Sequence, residues 1–153
     1  MKTIGTAQNR AYLWLLNNSN LSTFTDSTKI QRYALATLFY TTNGKTTWQA
    51  NIRNGGWLTN APECNWATTA SNPCSGTTYT SLTLDFVGVS GQLSPEIGLL
   101  SSLSRLNIQG NSGGAPGLSG TLPESLGNLT NMESFRFTNN YITGTILSRD
   151  SLL

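Results

Sequence analysis

The sequence predicts an α/β solenoid, with short parallel strands and short helical turns stacked behind a helical amino-terminal cap. An internal repeat, its near-constant period and a change of hydrophobic rhythm inside each unit carry that expectation. One copy of the repeat runs from Gly91 to Asn111 and the other from Gly120 to Asn140. The first copy has Leu93, Ile97, Leu100, Leu103, Leu106 and Ile108. The second has Leu122, Leu126, Leu129, Met132, Phe135 and Phe137 at the same offsets from the leading glycine. A repeat of this length implies supersecondary units that bury their apolar faces against one another.

The period is 24 residues, from Leu82 to Leu106 and again from Gly120 to Gly144. Between Gly91 and Gly120 it is 29, through an insertion of 5. The Gly/Pro-rich stretch from Ser112 to Gly117 marks that insertion as a bulged loop. Within a unit, Leu106 and Ile108 alternate as in a strand, and so do Phe135 and Phe137. Pro95 and Pro123 then open a brief helical or 3-10 turn, cut short by Gly98 and Gly127.

These residues resemble the plant-type leucine-rich repeat. Leu103, Leu106, Ile108, Asn111, Leu118, Gly120, Leu122, Pro123, Leu126, Gly127 and Leu129 follow its pattern in order. Val87 replaces the asparagine in the first, degenerate unit, and Pro95 is shifted by one. In the third unit Ser148 stands near the proline position and Asp150 where leucine belongs. The resemblance implies an amino-terminal cap over 1-80 and leucine-rich repeats over 81-153. It also implies that Asn111 and Asn140 point inward and hydrogen-bond the backbone of neighbouring units, the condition on which a buried amide is tolerated.

Ahead of the repeats, Ala7, Ala11, Tyr12, Leu15 and Leu16 form a helical stripe that ends at Asn17-Asn18-Ser19-Asn20. A second helix is expected from about Asp26 to Tyr40, capped by Thr25 or Asp26. Its apolar face would comprise Ile30, Tyr33, Ala34, Thr37, Leu38 and Thr41. Asn43-Gly44 breaks it. Trp48, Trp57 and Trp66 follow, either covering the end of the repeat core or forming a sugar-binding platform. The stretch from Gln31 to Leu58 is similar to the cap of leucine-rich-repeat proteins common in algae. Those often sit outside a membrane anchor or carry receptor-like names.

Cys64 and Cys74 are the two cysteines of the chain. With no histidine they make no four-ligand zinc site, and their spacing is not that of a redox pair. A disulfide or two free thiols remain. The resemblance implies the disulfide, because the plant-type cap carries such a pair just before its first strand. A disulfide in turn implies an oxidising compartment, hence an extracellular or cell-surface home. No apolar signal region is visible in the first ten residues. The third unit stops at Leu153 without a polar cap, so a fragment of a longer receptor-like protein is expected.

The net charge is +2 with 10% charged residues, which argues against nucleic acid or an anionic membrane as partner. No apolar run of about 18 residues exists. Without histidine, Ser/His/Asp and Cys/His machinery is excluded, and no catalytic residue, metal ligand or cofactor is expected. Glu96 and Glu124 suit the amino terminus of a helical turn better than a pair of catalytic carboxylates. Gly113-Gly114 lies in no phosphate-binding pattern.

Function is therefore expected on the strand face, where residues between the inward leucines point outward. Three stripes result: Ser81, Arg105 and Ser134, then Thr83, Asn107 and Arg136, then Asp85, Gln109 and Thr138. Such a face suits a protein, peptide or glycan. The alternative is a wall-associated structural or enzyme-inhibiting protein of the same family. An ice-binding threonine array fits poorly, since one stripe mixes Thr83, Asn107 and Arg136. Asn17, Asn20 and Asn128 begin glycosylation sequons.

Overall fold

The computed structural model describes residues 5–110 and 117–144. The chain opens with α1 (Ala7–Leu16) and α2 (Asp26–Thr41), followed by a single-turn helix α3 (Ala50–Arg53). Thr6 caps α1 by accepting from Asn9 N, and Thr25 caps α2 by accepting from Thr28 N. Seven strands follow: β1 (Cys74–Ser75), β2 (Thr78–Tyr79), β3 (Ser81–Thr83), β4 (Arg105–Asn107), β5 (Ser119–Thr121), β6 (Ser134–Arg136) and β7 (Tyr141–Thr143). Short 3-10 turns stack on one another: Pro95–Leu99 begins on the first repeat proline, and Glu124–Asn128 begins just after the second, Pro123.

The expected leucine-rich-repeat solenoid is corrected by the sheet topology. The protein is a small mixed α/β fold whose strands lie in three separate sheets. β1 and β2 form an antiparallel hairpin, β3, β4 and β6 form a three-stranded parallel sheet, and β5 and β7 form a parallel pair. The physical reason lies in the corners. The repeat strands are three residues long, and the backbone turns left-handed at Phe86 (φ 59°) and Gly88 (φ 84°) after β3 and at Asn139 (φ 57°) after β6. The Asn139 corner lies between β6 and β7, which belong to different sheets although only four residues separate them.

The core joins the cap to the first copy of the repeat. Leu82, Leu84, Leu103, Leu106 and Ile108 are fully buried and continuous with Ala34, Leu35 and Leu38 of α2. The α2 face is wider than its sequence pattern indicates. Gln31, Arg32, Leu35, Ala36 and Phe39 are also buried, because α1 packs on one side and the Pro95–Leu99 turn on another. Ile30, assigned to that face, is instead 47% exposed. On α1, Ala11 and Leu15 are buried, but Tyr12 and Leu16 are not.

Trp48, Trp57 and Trp66 are buried and touch in sequence, with ring centroids 4.9 and 5.2 Å apart. Each indole N–H donates to a backbone carbonyl: Trp48 to Thr42, Trp57 to Ala67 and Trp66 to Ala61. They seal the end of the core and offer no open platform for a sugar. Among the described residues, no helix is long and apolar enough to cross a membrane.

Candidate functional site

The parallel sheet aligns the repeat positions. Ser81, Arg105 and Ser134 sit opposite one another, and Thr83, Asn107 and Arg136 form the next row but one. Leu82, Leu106 and Phe135 form the row between them and face the other way. The third stripe lies just past the strand ends. There Asp85 Oδ1 accepts from Gln109 N at 3.0 Å, and Gln109 Oε1 accepts from the Thr138 hydroxyl at 2.9 Å.

Exposure divides this face. Ser81, Thr83 and Asn107 are buried, Asp85, Gln109 and Ser134 are half-buried, and Arg105, Arg136 and Thr138 are exposed. Asn107 Oδ1 accepts from the Ser134 hydroxyl at 3.1 Å. The Ser81 and Thr83 hydroxyls have no protein partner. Among the described residues, the ion pairs are Lys29 with Asp26 and Arg32 with Glu63. Arg105 and Arg136 belong to neither, and both are exposed.

The first edge of the sheet is closed by the cap. Thr69 donates both its N–H and its hydroxyl to Thr83 O, at 2.9 and 3.0 Å. Thr80 and Ser81 donate their N–H groups to Pro73 O. Cys64 and Cys74 are joined in a disulfide that closes this loop across 10 residues. The loop thus runs beside β3 as an irregular extra strand, which is how exposed edges are blunted.

Asn140 of the second copy donates from Nδ2 to Ile108 O at 2.7 Å and to Phe137 O at 3.1 Å. Its Oδ1 accepts from Leu118 N at 2.8 Å. One amide thereby ties three backbone segments together. Asn111 lies outside the described residues. Asn17, Asn20 and Asn128 are all exposed. Glu96 and Glu124 sit in the first turns of the two 3-10 segments, and Glu96 accepts from Gln8 Nε2 at 3.3 Å.

The sequence reading missed the most polar spot in the interior. Arg32 is fully buried and donates from Nη1 to Glu63 Oε2 at 2.9 Å. It also donates to Ala61 O and Thr59 O, and its guanidinium lies over the Trp14, Phe24 and Trp66 rings. Gln31 Nε2 donates to Glu63 Oε1 at 2.7 Å, and Gln31 Oε1 accepts from Tyr79 N. This network binds α2 to the loop that carries Cys64 and to the β1–β2 hairpin. Burial, and after it the nearby Glu63 charge, holds the Tyr79 phenol well above its usual range. An Arg at one helix position and a Glu some thirty residues later carry no local signal that they pair.

Among the described residues, no three cysteine or carboxylate side chains come together as a metal site. A comparison with protein-family models finds no match, and neither does a comparison with curated proteins.

Proposed function

We propose that this chain is an extracellular recognition module that binds a protein, peptide or glycan through the open face of its three-stranded sheet, without catalysis. The observation that carries the reading is the pair of exposed arginines, Arg105 and Arg136, on adjacent strands of a face otherwise made of hydroxyls, amides and the Asp85 carboxylate, neither arginine belonging to an ion pair among the described residues. Neighbouring strands lie about 4.8 Å apart. The two cations stand two rows apart along the strands, so their heads can engage separate groups of one ligand through charge-assisted hydrogen bonds.

Two further features support it. The disulfide fits an oxidising environment. The sequence resemblance to the plant-type leucine-rich repeat favours recognition over chemistry. The test is a binding screen of acidic peptides and acidic and neutral oligosaccharides, with wild type and an Arg105→Ala/Arg136→Ala variant. Loss of binding in the variant is expected. Equal binding by both proteins would move the site off this face.

A further inference from the structure

Two of the three sequons fall on the connection between α1 and α2, and the same connection borders an open cleft of about 580 Å³. Tyr12, Leu15 and Leu16 of α1 line this cleft together with Leu21 and Ser22 of the connection. Its surface is mainly apolar, yet Tyr12 is 38% and Leu16 47% exposed. Apolar side chains gathered at an open depression mark a surface that something covers.

The sequon Asn20-Leu21-Ser22 is built into the rim of that cleft. Asn20 and Ser22 are exposed, and Leu21 and Ser22 line the cleft themselves. The main chain is held in place: Asn20 N donates to Asn18 Oδ1 at 2.9 Å, and Asn20 O accepts from Thr23 N at 2.9 Å and from the Thr23 hydroxyl at 2.7 Å. Among the described residues, neither the Asn20 side-chain amide nor the Ser22 hydroxyl is engaged in a hydrogen bond. The other two sequons differ. In Asn17-Asn18-Ser19 the Ser19 hydroxyl accepts from Asn60 Nδ2 at 2.9 Å, and Asn18 is buried. In Asn128-Leu129-Thr130 the middle residue belongs to the core.

We infer that Asn20 is an N-glycosylation site whose first sugars lie over this cleft. The inference shares only the extracellular setting with the strand-face reading above. In the transfer, Asn20 Nδ2 bonds to C1 of an N-acetylglucosamine and loses one proton. The C1–O bond to a polyisoprenyl diphosphate donor breaks as the new bond forms, and the lipid diphosphate leaves with that electron pair. The attached ring presents C–H groups on its faces, which suit Tyr12, Leu16 and Leu21, while its hydroxyls stay in water. Because the sugar is rooted one residue from Leu21, its contact with the cleft is intramolecular and needs no affinity of its own. A protein partner would instead have to seat beneath a hydrophilic chain anchored at the rim.

The experiment pairs site occupancy with stability. Wild type, Ser22→Ala, Leu16→Ser and the double variant are secreted from a eukaryotic host that leaves high-mannose chains, and glycopeptides are mapped by mass spectrometry. Asn20 should be occupied in most wild-type molecules and bare in Ser22→Ala. Glycosylated wild type should melt about 2–5 °C above Ser22→Ala, and trimming to a single N-acetylglucosamine should keep most of that gain. In Leu16→Ser the gain from the sugar should vanish, because the apolar surface beneath it is broken. The same proteins made in bacteria carry no sugar, and there wild type and Ser22→Ala should melt together. An unoccupied Asn20 overturns the inference, whether or not Asn17 or Asn128 is modified. So does an occupied Asn20 whose sugar leaves Tm unchanged, or a gain that survives in Leu16→Ser. None of these outcomes touches the strand-face reading, which the arginine variant tests separately.

Discussion

The two copies of the repeat carry apolar residues at identical offsets but in different surroundings. In the first, Leu93, Ile97, Leu100, Leu103, Leu106 and Ile108 are each at most 6% exposed. In the second, only Leu129 is comparably buried, Leu122, Leu126, Met132 and Phe137 are half-buried, and Phe135 is 43% exposed. The first copy has α2 and the β3 unit on one side and the second copy on the other. Among the described residues, no strand pairs with the far edge of β6. The repeat pattern fixes which way a side chain points, and the neighbours decide whether that direction is dry.

The largest expected effect lies on the buried side. Glu63→Ala leaves Arg32 charged and enclosed without its carboxylate, which should cost about 3–5 kcal/mol. Urea unfolding measures it. A loss under about 1 kcal/mol would mean that the cap loop opens to water at little cost.

The comparison itself is tested by matched truncations. Leu106→Ala should cost about 2–5 kcal/mol. Phe135→Ala, at the equivalent offset, should cost about 1 kcal/mol or less, since much of its ring already meets water. Equal losses would show that the second copy is as well packed as the first.

Replacing Cys64 and Cys74 together by alanine should destabilise by about 2–4 kcal/mol. It should also speed hydrogen exchange at Thr69 N–H, which bridges to Thr83. Unchanged exchange would mean that the loop holds to the sheet edge without its staple. Asn140→Ala comes next, at about 1–3 kcal/mol, because it strips partners from Leu118 N and Ile108 O. An unaltered melting temperature would remove Asn140 from any structural role.

The smallest effect is a response to alkali. Tyr79 has a folded-state pKa raised above its unfolded value, by burial first. The neutral phenol therefore contributes stability that is present below about pH 10 and is lost as pH rises from there through the higher folded value. Tyr79→Phe should flatten that decline at little cost near neutrality, since the hydroxyl has no protein partner. A decline of the same slope in both proteins would assign it to other groups.

Much of the sheet face was legible in the sequence, because a 24-residue period sets the strand register residue by residue. Ser81, Arg105 and Ser134 do lie opposite one another. The sheet's extent was not legible, since a repeat pattern does not say that the backbone turns left-handed at Phe86 and at Asn139. The pairing of Arg32 with Glu63 was equally hidden. Charged residues on a helix ordinarily face water, and only the tertiary fold brings these two together. The exposed Ile30 is the same error in reverse: its periodic slot was read as core.

The closed edge of β3 gives the parallel sheet a direction. Backbone donors and acceptors on that side are already engaged by the loop around Thr69 and Pro73, whereas the outer rim of β6 meets no strand among the described residues. Among the described residues, β6 is therefore the edge at which an extended chain can add to this sheet. The disulfide-bound loop stoppers the other edge.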